Sequence, residues 1–190
     1  MNLLYHASPT AGITLLEPHI SNHGIPQVYF SRKRENVLVY LSNAIEKYCH
    51  ETGFAYHGIW QKWGPYGFNE QGLVRIEEYY PDALRDTYQG VSACLYCVEE
   101  SPDMRELPGI KGAVVSSSAV LVRACEFIPD AYEEILKSDR EGKIDLLRYE
   151  DRSPQQRAWI ERQIREEYQA AGEHPEYRYF LEHKFHTIKF

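Results

Sequence analysis

The sequence predicts an α+β fold, and two observations lead to it. Short apolar or alternating segments, typical of strands, are interrupted by helices of uneven length, without the regular strand–helix alternation of a doubly wound sheet. The composition is that of a globular chain of 190 residues, 43% of them hydrophobic and 26% charged, which excludes disordered, collagen-like and coiled-coil proteins. A globular chain of this length buries roughly 70% of its unfolded surface, so it needs no disulfide or metal for stability.

The first half of the chain predicts several strands around one long helix. Apolar residues recur at helical spacing over 32–50, and Ser31 is a suitable N-cap for that helix. The segment 57–72 is rich in Gly, Trp and Tyr and is predicted to be an exposed loop or lid. The other predicted elements are strands at 3–7, 13–16, 27–31, 73–79 and 91–99, and a short helix at 81–88.

The second half predicts two more strands, at 113–117 and 121–127, and a short helix at 129–137. The strongest helix signal is Ser153-Pro154 followed by Gln156, which combines an N-cap, a proline at the first helical position and a capping-box glutamine. That helix is expected to end near Gly172, and the aromatic segment 177–190 is expected to pack against the protein. We therefore predict a single domain over 1–190, with a sheet core over about 1–138 and a helical C-terminal appendix over 139–190.

Charge and hydropathy limit the classes of partner. The formal net charge is −7, which argues against nucleic-acid binding, because that works through a basic surface. No apolar run approaches the ~18 residues of a membrane span, so we expect no membrane partner. The first residues lack the basic stretch and apolar run of a signal peptide, so we expect a cytoplasmic protein. Oligomeric state is left open.

The sequence predicts no metal site. Cys94 and Cys97 have CxxC spacing but lie on a predicted strand, where positions i and i+3 face opposite sides, so they are expected to be reduced thiols. His19 and His23 are four residues apart, but the neighbouring proline and glycine predict a loop rather than a helix face. These histidines are therefore expected to be solvated.

Two short motifs in the first 40 residues carry the functional signal. The first predicted strand ends in His6-Ala7-Ser8, and a later strand contains Tyr29-Phe30-Ser31, leading to a helix with Tyr40, eleven residues after Tyr29. This arrangement resembles the nucleotide site of the ADP-ribosyltransferase superfamily, on its poly(ADP-ribose) polymerase-like His–Tyr–Glu branch. The resemblance implies a split antiparallel or mixed β-sheet and NAD as the bound substrate.

The resemblance also implies roles for individual residues. His6 would hold a ribose hydroxyl, the backbone of Ala7 would contact the carboxamide, and Ser8 and Ser31 would line the site. Tyr29 and Tyr40 would sandwich the nicotinamide ring, since two aromatic faces form a flat slot. Ala7 stands where the family has a glycine, which limits close backbone approach.

The catalytic carboxylate is where the chain departs from the family. Family members carry a glutamate at the start of a late strand, but the best positional match, 111–115, contains no carboxylate. Glu126 on the following strand is the substitute candidate, which gives an implied catalytic set of His6, Tyr29 and Glu126. The acceptor of ADP-ribose is left open, and so is the alternative of a degenerate relative without turnover.

Two other functions are carried as alternatives. An RNA 2′-phosphotransferase, a related enzyme, would need a basic cluster to grip phosphate, and Arg32, Lys33 and Arg34 are the candidate cluster. A non-enzymatic ligand- or protein-binding module is favoured by the absent glutamate and by Trp60 and Trp63 in the predicted loop.

Overall fold

The structure is a computed structural model that describes residues 2–20, 24–57 and 66–190. It confirms the α+β class: open antiparallel or mixed sheets are combined with α-helices. The strands are β1 (Leu3–Ser8), β2 (Leu15–Leu16), β3 (His19–Ile20), β4 (Pro26–Ser31), β5 (Tyr66–Phe68), β6 (Val74–Glu77), β7 (Ala93–Glu99), β8 (Arg105–Glu106), β9 (Ala113–Ser116), β10 (Val120–Leu121), β11 (Ala124–Ile128) and β12 (Asp145–Leu147). The helices are a 3-10 helix (Arg34–Leu41), α1 (Ala44–Thr52), α2 (Ala83–Tyr88), α3 (Ala131–Arg140), α4 (Pro154–Ala170) and α5 (Pro175–Lys184).

The main sheet has the strand order β11-β7-β1-β4-β9-β8, with β3 pairing to β4. Its neighbouring strands are antiparallel. Two smaller sheets have the orders β10-β2 and β12-β6-β5. In the described part of the chain, no helix is both long and apolar enough to cross a bilayer.

The chain divides into two compact units. The first contains the described residues of 1–42, 66–75 and 88–145, and the second those of 43–65, 76–87 and 146–190. Each unit has its own hydrophobic cluster. Leu4, Phe30 and Tyr96 belong to the cluster of the first unit, and Ile45, Ile164 and Phe180 to that of the second.

The continuous helix predicted over 32–50 is wrong. The segment forms a 3-10 helix over Arg34–Leu41, then breaks, and α1 begins at Ala44. The break is due to Asn43, whose extended backbone (φ −132°) lets its side chain accept hydrogen bonds from the amides of Ile45 and Glu46. The apolar periodicity runs through this break because both helices bury their apolar residues.

Other boundaries shift by less. The strand predicted over 121–127 is interrupted and forms β10 and β11. The loop predicted over 57–72 contains the short strand β5. Residues 58–65 of that loop lie outside the described chain. His19 lies in the short strand β3 rather than in a loop, and it is exposed as predicted; His23 lies outside the described residues. The capping box of α4 is confirmed, with Ser153 and Gln156 each accepting the other's backbone amide. The predicted free cysteines are also confirmed.

Candidate functional site

The candidate site lies where two central strands of the main sheet, β1 and β4, diverge. β1 pairs with β7 along its whole length, from Leu3 to Ser8, and β4 pairs with β9 over Val28–Ser31. Between β1 and β4, however, the described ladder consists of the single pair Tyr5–Ser31. The ends of the two strands beyond that pair therefore frame a gap in the sheet.

A cavity of about 500 Å³ opens at this gap, which is within the usual range for sites that bind small molecules. We call it the β1–β4 cleft, and all of its lining residues belong to the first unit. The lining residues are His6, Ser8, Thr10, Ile13, Leu15, Leu16, Glu17, His19, Gln27, Val28 and Tyr29.

His6 lines the cleft and bridges its two strands. Its Nδ1 atom lies 2.9 Å from the backbone carbonyl oxygen of Tyr29. Because a carbonyl only accepts hydrogen bonds, Nδ1 carries the proton and Nε2 is an acceptor, suited to a ligand hydroxyl. Burial lowers the pKa of His6, against the opposing effect of the hydrogen bond to Tyr29. The imidazole is therefore neutral at pH 7.

Tyr29 contributes to the cleft from β4. Val28 and Phe30 on either side of it pack in the hydrophobic cluster of the first unit, so strand alternation directs the Tyr29 ring to the opposite face. The ring of Phe30 lies edge-on to His6, with centroids 6.0 Å apart. His6 and Tyr29 thus meet through the tyrosine carbonyl.

The small residues of the two motifs are held by local hydrogen bonds. Ser8 lines the cleft, and its hydroxyl oxygen accepts from the amide of Thr10 at 3.2 Å. Ser31 is buried, and its hydroxyl oxygen accepts from the amide of Lys33 at 3.1 Å, where the chain turns into the 3-10 helix. Ala7 is buried in β1, where it pairs with Leu95 of β7. Of these three residues, only Ser8 is among the described residues that line the cleft.

Tyr40 has a different setting. It lies on the 3-10 helix and accepts a hydrogen bond from the hydroxyl of Tyr66 at 2.9 Å, and the two rings meet edge-on with centroids 5.4 Å apart. Desolvation of the hydroxyl, reinforced by Tyr66, raises the pKa of Tyr40. Tyr40 is not among the described residues that line the cleft, so its stacking role remains a prediction.

Glu126, the candidate catalytic carboxylate, is engaged by an arginine. Arg34 donates to both of its carboxylate oxygens, at 2.8 and 2.6 Å, and this hydrogen bonding lowers the pKa of Glu126. Glu126 pairs with Leu95, which in turn pairs with Ala7, so it lies two strands, roughly 10 Å, from the backbone of β1. It does not belong to the described lining of the cleft.

The cleft contains a carboxylate that sequence reasoning missed. Glu17 is exposed, and among the described lining residues of the cleft it is the only one with a carboxylate. It follows β2, and β2 pairs with β10 through Leu16–Val120 and Leu15–Leu121. Because this pairing joins residues more than one hundred positions apart, no local motif could have placed Glu17 at the cleft.

Tyr96 fixes one wall of the cleft. It is fully buried in β7, donates its hydroxyl hydrogen to the carbonyl of Thr10 at 2.6 Å and accepts from the amide of Ile13 at 3.2 Å. Thr10 and Ile13 both line the cleft. Tyr96 is therefore a positioning residue for the loop between β1 and β2.

The second unit contains a separate cluster of potential metal ligands. His57, His174 and Glu176 each offer one ligand atom, and these atoms all lie within 4.8 Å of one another. Sequence reasoning missed this cluster because His57 is more than one hundred residues from the other two.

No protein-family model matches this chain, and neither a curated protein nor a solved structure resembles it closely enough to count as a match.

Proposed function

We propose that the first unit is an ADP-ribosyltransferase-like domain that binds NAD in the β1–β4 cleft. The observation that carries the proposal is the meeting of the two sequence motifs: His6 and Ser8 from one, and Tyr29 from the other, line one cavity where the sheet opens. The sheet order also supports it. β11-β7-β1 on one side of the gap and β4-β9-β8 on the other form the two halves that a split sheet requires.

The chemistry of the cleft suits a bent dinucleotide. The neutral His6 offers Nε2 as an acceptor for a ribose hydroxyl, and Tyr29 lines the same cavity. Stacking of the Tyr29 ring on nicotinamide is the role that the resemblance implies, and Tyr29→Ala tests it. The described lining contains no lysine or arginine for the diphosphate. We therefore expect modest affinity and choose NAD concentrations up to the millimolar range for the test.

In a transfer reaction, the bond between nicotinamide and ribose C1′ breaks, and nicotinamide leaves with the bonding electrons. The acceptor then bonds to C1′ and releases its proton. The oxocarbenium-like transition state is positively charged, so a nearby carboxylate stabilises it. In our proposal Glu17 takes this role instead of Glu126, because Glu17 lines the cleft whereas Glu126 is paired with Arg34. The class of acceptor stays open.

The phosphotransferase alternative is weakened by the setting of the basic cluster. Arg32 pairs with Glu100 and Glu106, and Arg34 pairs with Glu126 and Glu134. Lys33 donates to the backbone carbonyls of Gln71 and Gly72. A phosphate would have to compete with these partners for all three side chains.

Calorimetric titration with NAD tests the proposal. We expect saturable one-to-one binding that is weakened at least tenfold in Tyr29→Ala and His6→Ala. The matched control is Tyr179→Ala, which removes a half-exposed tyrosine of α5 in the second unit and should leave the affinity unchanged. Absence of binding at millimolar NAD, or equal affinity in the two cleft variants, contradicts the proposal. Tyr40→Ala tests the predicted second stacking partner in the same experiment.

Nicotinamide release separates the transferase from the binding-module alternative. An ADP-ribosyltransferase releases nicotinamide from NAD, either to an acceptor or to water, whereas a module binds without turnover. Trp60 and Trp63, the two residues that favour the module, lie outside the described residues. Protein capture that survives Tyr29→Ala but is lost in Trp60→Ala would favour the module.

A further inference from the structure

Two histidines of the second unit meet a single carboxylate oxygen. His57 follows α1, and His174 and Glu176 flank the proline that opens α5. The Nδ1 atom of His57 lies 3.1 Å from Oε1 of Glu176, and the Nδ1 atom of His174 lies 3.3 Å from the same oxygen. This arrangement is independent of the β1–β4 cleft, because all three residues belong to the second unit.

The carboxylate is buried and held in place. The Glu176 side chain is 8% exposed, and its neighbours in α5 include Tyr177, Phe180 and Leu181 of the hydrophobic cluster. Burial alone would raise its pKa, but hydrogen bonds from His57, from its own backbone amide and from His174 hold the pKa below its usual range. Glu176 is therefore a fixed negative oxygen with two imidazole nitrogens beside it.

The distances match the edges of a tetrahedral metal site. Nitrogen and oxygen ligands bind Zn²⁺ at about 2.0–2.1 Å, so two ligands of a tetrahedral site lie about 3.3 Å apart. The two nitrogen–oxygen distances, 3.1 and 3.3 Å, already have this length. The remaining edge, between the two histidine nitrogens, is within 4.8 Å, so the three ligand atoms already lie close together.

The exposure of the three side chains makes the site open on one side. It rises from 8% at Glu176 through 31% at His174 to 61% at His57. An ion bound by these three ligands keeps its fourth position toward solvent, where water completes the coordination. Three protein ligands and one water is the arrangement of open zinc sites.

We propose that His57, His174 and Glu176 form a binding site for a divalent transition-metal ion, with Zn²⁺ as the ion that fits best. Two imidazoles and one carboxylate favour Zn²⁺ and its neighbours over Mg²⁺ or Ca²⁺, which prefer sites made of oxygen ligands alone. The ion takes the place of the Nδ1 protons that now point to Glu176. It ties the chain at residue 57 to the first turn of α5.

Calorimetric titration of the full-length chain, first treated with a chelator and kept reduced, with ZnCl₂ tests this site. We expect one Zn²⁺ per chain, and MgCl₂ should bind far more weakly. His57→Ala and His174→Ala should each lower the affinity by more than the ~10–100-fold that loss of an outer-shell partner causes. Zn²⁺ should raise the melting temperature of the unaltered chain, because it binds the folded state, and this shift should vanish in His57→Ala.

Two control variants keep the result specific. His50→Ala removes an exposed histidine of α1, and Cys125→Ser removes an exposed thiol of β11; both should bind Zn²⁺ as the unaltered chain does. His57→Ala changes an exposed side chain, so it should remain folded even where substitution of the buried Glu176 does not. Lack of one-to-one Zn²⁺ binding, or binding that persists in both histidine variants, overturns the site and leaves a hydrogen-bonded cluster.

Discussion

His6 and Tyr29 meet through the backbone of the tyrosine: the imidazole Nδ1 donates to the Tyr29 carbonyl over 2.9 Å. This bond spans the gap that opens beyond Tyr5–Ser31, the one β1–β4 pair among the described residues. It replaces a backbone ladder bond with a side-chain bond and leaves Nε2 available as an acceptor in the cleft. A residue that the sequence marked for ligand binding therefore also holds the sheet at its opening.

The stability of the protein should fall in mild acid because of His6. Burial, partly offset by the hydrogen bond to Tyr29, sets its folded-state pKa below the ordinary value of 6.5. Below pH 6.5 the unfolded chain then binds more protons at this residue than the folded chain does. The stability that the neutral His6 contributes to the folded state is therefore fully present above that pH and is lost as the pH falls through the folded-state pKa. We expect the free energy of unfolding to decrease between pH 7.5 and 5.5.

Urea unfolding of the unaltered chain and of His6→Gln at both pH values isolates this effect. The glutamine keeps an amide donor for the Tyr29 carbonyl but does not titrate, so its loss of stability in acid should be smaller. An NMR titration of the folded protein should place the His6 transition below pH 6.5. Identical losses in the two proteins would rule out His6 as the source.

The two carboxylate candidates can be separated by paired substitutions. On the proposed function, Glu17→Gln should lower nicotinamide release from NAD by roughly 10²–10³-fold, as expected for loss of one preorganised transition-state group. Binding of NAD should change much less. Glu126→Gln should retain turnover, because Glu126 contacts Arg34 and is not in the described lining of the cleft. Release of nicotinamide is followed by chromatography.

A thermal melt of each variant completes that comparison. Glu126→Gln replaces a charge-paired oxygen on the exposed strand β11, so its effect on stability should stay within about 1 kcal/mol, as for surface ion pairs. If Glu126→Gln, with its fold intact, abolishes nicotinamide release and Glu17→Gln does not, the assignment made from the sequence is the correct one.

Local signals predicted the fold better than the site. The strand that carries His6, the strand that carries Tyr29 and the capping box of α4 all rest on neighbouring residues, and all are confirmed. The helix over 32–50 failed because apolar spacing does not register the cap at Asn43. Glu17 escaped detection because its place depends on the pairing of β2 with β10, which no short window of sequence records.

Tyr96 should matter for the shape of the cleft although it is buried beneath it. Tyr96→Phe keeps the ring but removes the hydroxyl that bonds Thr10 and Ile13. Two hydrogen bonds of about 0.5–1.5 kcal/mol each are lost, so we expect a loss of about 1–3 kcal/mol in the free energy of unfolding. NAD affinity should fall as well, since the loop that lines the cleft loses its anchor.

Tyr179→Phe is the matched control for the loss of a hydroxyl, since Tyr179 is half-exposed and lies in the second unit. It should change stability by less than about 0.5 kcal/mol. Hydrogen exchange of the Ile13 amide should accelerate in Tyr96→Phe alone. Equal exchange rates in the two variants would contradict the anchoring role.

Glu78 should be the most sensitive carboxylate of the second unit. Its side chain is 2% exposed and accepts hydrogen bonds from the amides of Leu84 and Tyr149 at 2.9 and 3.3 Å, and from Arg148 at 3.3 Å. Glu78→Gln replaces one acceptor oxygen with an NH₂ group that faces the N–H donors of its partners. We therefore expect the free energy of unfolding, measured in urea, to fall by about 2–3 kcal/mol. Glu161→Gln, in an exposed pair with Arg165, should cost no more than about 0.5 kcal/mol. Similar losses in both variants would mean that the buried amides find other acceptors.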